Sequence, residues 1–237
     1  MGTPLARRLV AEFIGTAFLL VAVIGSGIAA QRLSPGDTGL QLLENAIATG
    51  AALVALILAF GSVSGAHFNP LVTVADRLFG GVGSREAGGY LTAQVAGAGV
   101  GAVIANLMFD LPAVEWSTKV RDGSGLFLSE VVATFGLLLV IFGVVRSGRT
   151  SAVPFAVGAY IAGAYFFTSS TSFANPAVTL ARTLSDTFAG IAPESVPLFL
   201  AAQIVGCALA IAAIRVLYPD VDRVATEVLQ PHEGGSA

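Results

Sequence analysis

This sequence is short of charge. Asp, Glu, Lys and Arg make up 11% of its 237 residues, against about 25% in an ordinary soluble domain. So few charges cannot clothe a whole molecular surface in water. Cysteine is nearly absent too. The single Cys207 rules out a disulfide within the chain and gives no support to a thiolate metal cage, and its apolar neighbours suit a small packing residue. No metal-ligand cluster is visible in the sequence. No nucleophile–base pair or phosphate-cradling loop is visible either, so neither enzymatic chemistry nor a cofactor is expected. The net charge of −3 excludes a basic footprint for nucleic acid.

What remains is apolar. Hydrophobic residues reach 55% and the mean hydropathy is +0.82. They gather in six blocks, near 9–30, 42–62, 87–108, 127–145, 152–168 and 197–218. Roughly 20 helical residues at about 1.5 Å each cross a bilayer, so each block is a candidate span. The first lacks a small-residue cleavage site after it and is expected to be retained. The 28 glycines fit a membrane bundle, where small residues let helix backbones touch. Gly97, Gly101 and Ala105 show that spacing.

Loop charges set an orientation. One side collects Arg7, Arg8, Arg77, Arg85, Arg146, Arg149, Arg215 and Arg223. The other collects Arg32, Lys119, Arg121 and Arg182. The positive-inside rule then places both termini in the cytoplasm of a multi-pass cell-membrane protein. Segment 110–126 becomes the outer connection between halves. Residues 219–237 form a short polar cytoplasmic tail.

The chain also repeats itself. AEFIGTAFLL (11–20) pairs with SEVVATFGLL (129–138), NPLVTV (69–74) with NPAVTL (175–180), and AQVAG (93–97) with AQIVG (202–206). The offsets are 118 for Glu12 and Glu130, 106 for Asn69 and Asn175, and 109 for Gln94 and Gln203. Repeat one covers about 1–109 and repeat two about 127–218 of a single domain, 1–237. Three spans per repeat force the copies into opposite orientations. Inverted repeats put their functional elements at the shared interface, near the midplane.

Asn69-Pro70-Leu71 and Asn175-Pro176-Ala177 each precede a short amphipathic stretch. Asn caps helices and Pro suits the first turn, so half-helices are expected over 69–78 and 175–185. Neither is long enough to span. Irregular backbone at membrane depth survives only when shielded by protein or lining water, and inversion points the two N-termini at each other.

SGAHFNPLVT (64–73) and FANPAVT (173–179) resemble the paired boxes of the aquaporin and aquaglyceroporin family. The glutamate spans and the two glutamines also resemble that family's pattern. The resemblance covers the chain apart from its tails. It implies an all-α integral membrane fold of six transmembrane helices plus two re-entrant half-helices, one pore per subunit and a homotetramer in the lipid bilayer. Small neutral solutes would be the permeants. The asparagine amides would donate toward permeant oxygens, while the helix N-termini, each worth about half a positive charge, would repel cations. Glu12 and Glu130 have two open roles. Buried carboxylates can couple a carrier to protons, whereas the resemblance implies acceptors for the backbone entering each half-helix. His67 would brace its loop beside the inner half of the pore.

Two departures stand out. Leu71 replaces the usual Ala, which affects packing only. Val178 replaces the usual arginine after the second box. The nearest arginine, Arg182, comes a turn later, able to swing toward the outer mouth from a different backbone position. Matching the family pattern by spacing puts the selectivity filter at Thr49, Gly163, Ser172 and Val178, with no aromatic, histidine or arginine. A wide filter follows, with glycerol-sized polyols, urea, arsenous acid and methylated arsenicals as expected cargo beside water. The alternatives from other classes are an inverted-repeat secondary carrier and a junctional membrane protein with a vestigial pore.

Overall fold

The computed structural model describes residues 3–219. Arg223 and all but the first residue of the expected tail lie outside them. The described elements are helices α1 (Leu5–Leu33), α2 (Thr38–Ser64), α3 (Pro70–Leu78), α4 (Ser84–Met108), α5 (Ser124–Arg146), α6 (Val153–Phe167), α7 (Pro176–Ala181) and α8 (Val196–Leu217), with short 3-10 turns between some of them. Among the described residues, six helices are long and apolar enough to cross a membrane. They are α1, α2, α4, α5, α6 and α8. Most overrun the expected blocks by a few residues, because polar ends such as Arg7 and Arg8 stay helical after the apolar run stops.

Short turns reverse the chain between α1 and α2 and between α5 and α6. The Asp37 side chain caps α2 by accepting from the Leu40 N–H at 2.9 Å. Gly65 closes α2 at φ 85°, a left-handed geometry that glycine adopts freely. Counting spans from α1, the chain crosses three times in each half. The side where α1 starts is called the near face below, and its opposite the far face.

Close approach of helices is built from glycine. A methyl group on Gly97 would strike the Phe13 carbonyl, and one on Gly101 the Ala17 carbonyl, so α4 lies backbone to backbone on α1. The second half copies this: a methyl on Gly206 of α8 would sit 2.5 Å from the Val131 carbonyl of α5. Across the junction of the halves, α2 meets α6 where Gly50 and Gly158 face each other, each site leaving under 3 Å to the other's carbonyl oxygen. These crossings hold α1, α2, α5 and α6 around a common space, into which α3 and α7 descend. Cys207 is buried on α8 against α3, with its Sγ 3.9 Å from the Leu71 carbonyl, consistent with a packing role.

The far-face connection, residues 109–123, carries no regular structure and is pinned to the chain after α7. Glu115 N–H donates to Leu184 O at 3.1 Å, and Ser117 N–H to Thr183 O at 2.9 Å. Asn106 Nδ2 also donates to Leu184 O, at 2.9 Å. These demands on its carbonyls accompany an early end for α7, which stops at Ala181 and continues only as the 3-10 turn Arg182–Leu184. The expected half-helix to 185 is therefore shorter.

Candidate functional site

The segment entering each half-helix adopts a backbone that most residues avoid. Ala66, Phe68, Ser172 and Ala174 have φ of 51°, 48°, 50° and 47°. Left-handed conformations cost L-residues about 1–2 kcal/mol each, so something must hold them. Glu12, fully buried on α1, does so in the first half. Its carboxylate accepts from Ser64 Oγ (2.6 Å), His67 N (3.0 Å), Phe68 N (2.8 Å) and Gln94 Nε2 (2.8 Å). Glu130 repeats the arrangement with Ser170 Oγ (2.6 Å), Phe173 N (2.9 Å), Ala174 N (2.9 Å) and Gln203 Nε2 (2.7 Å). Each glutamine continues to the threonine of its box, Gln94 to Thr73 at 3.0 Å and Gln203 to Thr179 at 2.9 Å. Four donors on each carboxylate compensate its burial.

Asn69 and Asn175 then sit at the helix starts. Asn69 Oδ1 accepts from Leu71 N at 2.9 Å, and Asn175 Oδ1 from Ala177 N at 3.0 Å. Pro70 and Pro176 occupy the first turns. Each amide nitrogen reaches across to the other half: Asn69 Nδ2 donates to Ala174 O and Asn175 Nδ2 to Phe68 O, both at 2.8 Å. An amide nitrogen carries two hydrogens, so each asparagine keeps one donor beyond this cross-link.

Both asparagines line one cavity that runs past them toward each face. Its apolar wall takes equivalent positions from the two halves. Leu19 and Val23 of α1 match Leu137 and Ile141 of α5, and Thr49, Leu53 and Ile57 of α2 match Val157, Ile161 and Tyr165 of α6. The opposite wall is the entry segments, from Gly65 to Asn69 and from Ser172 to Asn175. A polar strip therefore faces a largely apolar wall, interrupted toward the far end by the hydroxyls of Thr49 and Tyr165.

Of the four filter positions taken from spacing, Thr49, Ser172 and Val178 line this cavity. Gly163 does not. It is exposed on the outer side of α6, where an added methyl would meet only the Phe167 ring. Helical geometry gives the reason: Ile161 and Tyr165 face inward, and a residue two positions from either points about 200° away. Tyr165 takes that level, with its hydroxyl 3.1 Å from Thr49 Oγ1. Phe173 and Arg182 join the lining as well. The expectation of a mouth without aromatics or arginine is thus corrected, although Val178 does stand after the second box. Pro70, Leu71, Pro176 and Ala177 are absent from the lining and serve packing. Leu71 is buried in the core.

Arg182 was not expected to reach so far inward. Its side chain is only 2% exposed. The guanidinium lies 3.4 Å over the Phe173 ring, and Nε donates to the Ala189 carbonyl. Arg121 packs over the same ring at 5.1 Å, with Nε on Gly190 O at 2.9 Å. Lys119 Nζ donates to Phe188 O at 2.7 Å. Burial, with Arg121 and Arg182 nearby, brings the Lys119 ammonium down to about 8. On the near side, His67 Nδ1 lies 3.0 Å from Thr73 Oγ1 and Nε2 lies 4.0 Å from Asp76 Oδ2. Tyr90 joins Arg8 to the Ser64 carbonyl, with 2.7 Å bonds on both sides, and Arg8 also pairs with Glu86.

Comparison with known proteins agrees with this geometry. The major intrinsic protein family matches residues 2–172. An aquaglyceroporin, AqpS of Rhizobium meliloti (strain 1021), is 51% identical over 89% of this chain and 90% of its own length. Aquaporin NIP1-2 of Arabidopsis thaliana is 33% identical over 63% of this chain and 53% of its own. The solved aquaglyceroporin from Plasmodium falciparum superposes with a TM-score of 0.72 at 25% identity, over 93% of this chain and all of that one. With two box asparagines meeting beside a cavity inside six membrane-length helices, the chain belongs to the major intrinsic protein family, the aquaporins and aquaglyceroporins, and is a multi-pass membrane channel of the aquaglyceroporin type rather than an enzyme.

Proposed function

We propose that the channel passively conducts uncharged solutes of glycerol size, arsenous acid among them, together with water. In this reading it sits in the cell membrane as a homotetramer with both termini in the cytoplasm. The observation that carries the proposal is the cavity beside Asn69 and Asn175, polar along the entry segments and largely apolar along the facing helices. Polyols and arsenous acid share that outline, since each presents several hydroxyls around a compact centre. The side chains at the far end fit the same cargo. Thr49, Ser172 and Val178 are small, so width is set by Tyr165 and Phe173. The name aquaglyceroporin given to the 51% identical relative supports a pore larger than water alone requires.

The asparagine donors and the ends of α3 and α7 give the centre a positive potential, which disfavours cations and lets neutral dipoles pass. The deciding experiment is a permeability panel on purified channel in proteoliposomes, with water, glycerol, urea and arsenous acid as solutes. Glycerol and arsenous acid should enter well above protein-free vesicles. Water passage with both larger solutes excluded defeats the proposal.

A further inference from the structure

Arg182 is a buried guanidinium with its counter-charge missing. Among the described residues, no carboxylate lies within 4.0 Å of it. Only Nε is used, on the Ala189 carbonyl. The flat face rests on Phe173, and Arg182 lines the cavity. Its neighbours do not neutralise it. Arg121 and Lys119 bind the carbonyls of Gly190 and Phe188, so three cations stand on one run of backbone oxygens. The carboxylate nearest to it along the same loop, Asp186, is turned to Thr118 instead, accepting from its N–H at 2.9 Å and its hydroxyl at 3.1 Å. A buried charge left without a partner is costly, and here the cost falls at the pore wall.

A second polar group at this end is also unspent. Ser172 lines the cavity, and its buried Oγ has no hydrogen-bond partner among the described residues. The Thr49–Tyr165 hydroxyl pair faces the same space. We infer that Arg182 is the specificity-determining residue of the far mouth, and that with Ser172 and the Thr49–Tyr165 pair it forms a subsite for the hydroxyl oxygens of a polyol-sized solute while barring cations. The charge that the position after the second box gave up to Val178 is resupplied from one turn later, laid across an aromatic ring. This rests on the reading of the chain as a polyol-conducting pore.

The test uses full-length channel in proteoliposomes, comparing wild type with Arg182→Leu, Arg182→Lys and Ser172→Ala. Glycerol and water permeabilities are measured by light scattering, and potassium and proton leak by trapped dyes. Arg182→Leu should raise cation leak about tenfold, since it removes the fixed charge. Arg182→Lys should keep cations out yet slow glycerol, because a point charge cannot replace the fork. Ser172→Ala should lower glycerol permeability about threefold with water little changed, the worth of one hydrogen bond; no protein contact is lost, so misfolding does not confuse that arm. If Arg182→Leu fails to fold, the lysine and alanine arms decide. Unchanged cation leak in folded Arg182→Leu, or an unchanged glycerol-to-water ratio in both other variants, overturns the inference. A wild type that excludes glycerol defeats the polyol reading instead, and the cation-leak arm still judges Arg182.

Discussion

Asp76 and Arg182 stand at equivalent places in the two halves, 106 residues apart, and carry opposite charges. Both are almost fully buried at the outer end of a half-helix. Beside each lies an aromatic pair at matching positions: His67 with Tyr90 at 5.3 Å and Phe173 with Phe199 at 4.9 Å, both edge to face. The duplication kept the scaffold and changed the chemistry of its two ends. An acid and an imidazole occupy the near end, and a guanidinium on a phenyl ring occupies the far end.

The scaffold depends on the two buried glutamates, and the first prediction concerns them. Glu12→Gln or Glu130→Gln turns an amide nitrogen toward backbone N–H groups that now donate to a carboxylate. Each substitution should cost about 2–4 kcal/mol of stability, from weakened charge-assisted bonds. The thermal midpoint in detergent should fall for both, by similar amounts because the networks match. Any channel that remains folded should keep downhill flux. A proton-coupled carrier would behave differently, with an unchanged midpoint and lost coupling to a proton gradient.

A second prediction follows from the glycine crossings. Gly101→Val would push a branched side chain into the Ala17 carbonyl, where backbone rather than a flexible tip must move. Gly206→Val meets the Val131 carbonyl in the other half. Overpacking of this kind costs about 1–3 kcal/mol and sometimes more. Both variants should show lower thermal midpoints, while Gly99→Val, which meets nothing within 4 Å, should not. Equal stability of all three would show that α1 and α4 can separate freely.

The fold was legible because membrane length and duplication are both written along the chain. Apolar blocks gave the spans, and repeated Glu, Asn-Pro and Gln gave the inverted halves. The box asparagines were legible as helix caps. Their mutual bonds to Ala174 and Phe68 were not, because those partners use backbone atoms that carry no sequence signal. Gly163 went wrong because constant spacing from Asn175 was assumed through an irregular loop. Counting inward from the periodic face of α6, through Val157 and Ile161, would have led to Tyr165. Arg182 was visible as an arginine near the mouth. Its inward placement hinges on Phe173 as a platform and on Ala189 O as an acceptor, both fixed by tertiary structure.

Lys119 supplies a pH prediction. Its ordinary value is 10.5, and burial first, then Arg121 and Arg182, bring it to about 8 in the fold. Between those values the unfolded chain holds more protons than the folded one. Stability contributed by this group therefore rises as pH climbs from about 8 toward 10.5 and is lowest below that window. Lys119→Met removes the dependence. The variant's advantage in thermal midpoint should be greatest near pH 7 and shrink by pH 9.5. A difference that stays constant across that range rules the mechanism out.

Val178→Arg tests whether the position after the second box lies at the constriction. Val178 is 5% exposed and lines the cavity between Asn175 and Arg182. An arginine there projects into the lumen and sits one helical turn from Arg182, where like charges repel. The lumen narrows and the new side chain takes up space that a polyol needs. Glycerol permeability should fall at least about tenfold, a barrier increase near 1.4 kcal/mol, while water permeability should drop far less. Adding Arg182→Leu to Val178→Arg should relieve the repulsion and restore stability without restoring glycerol flux, since the obstruction remains. Undiminished glycerol flux in folded Val178→Arg would show that a side chain at this position does not enter the solute path.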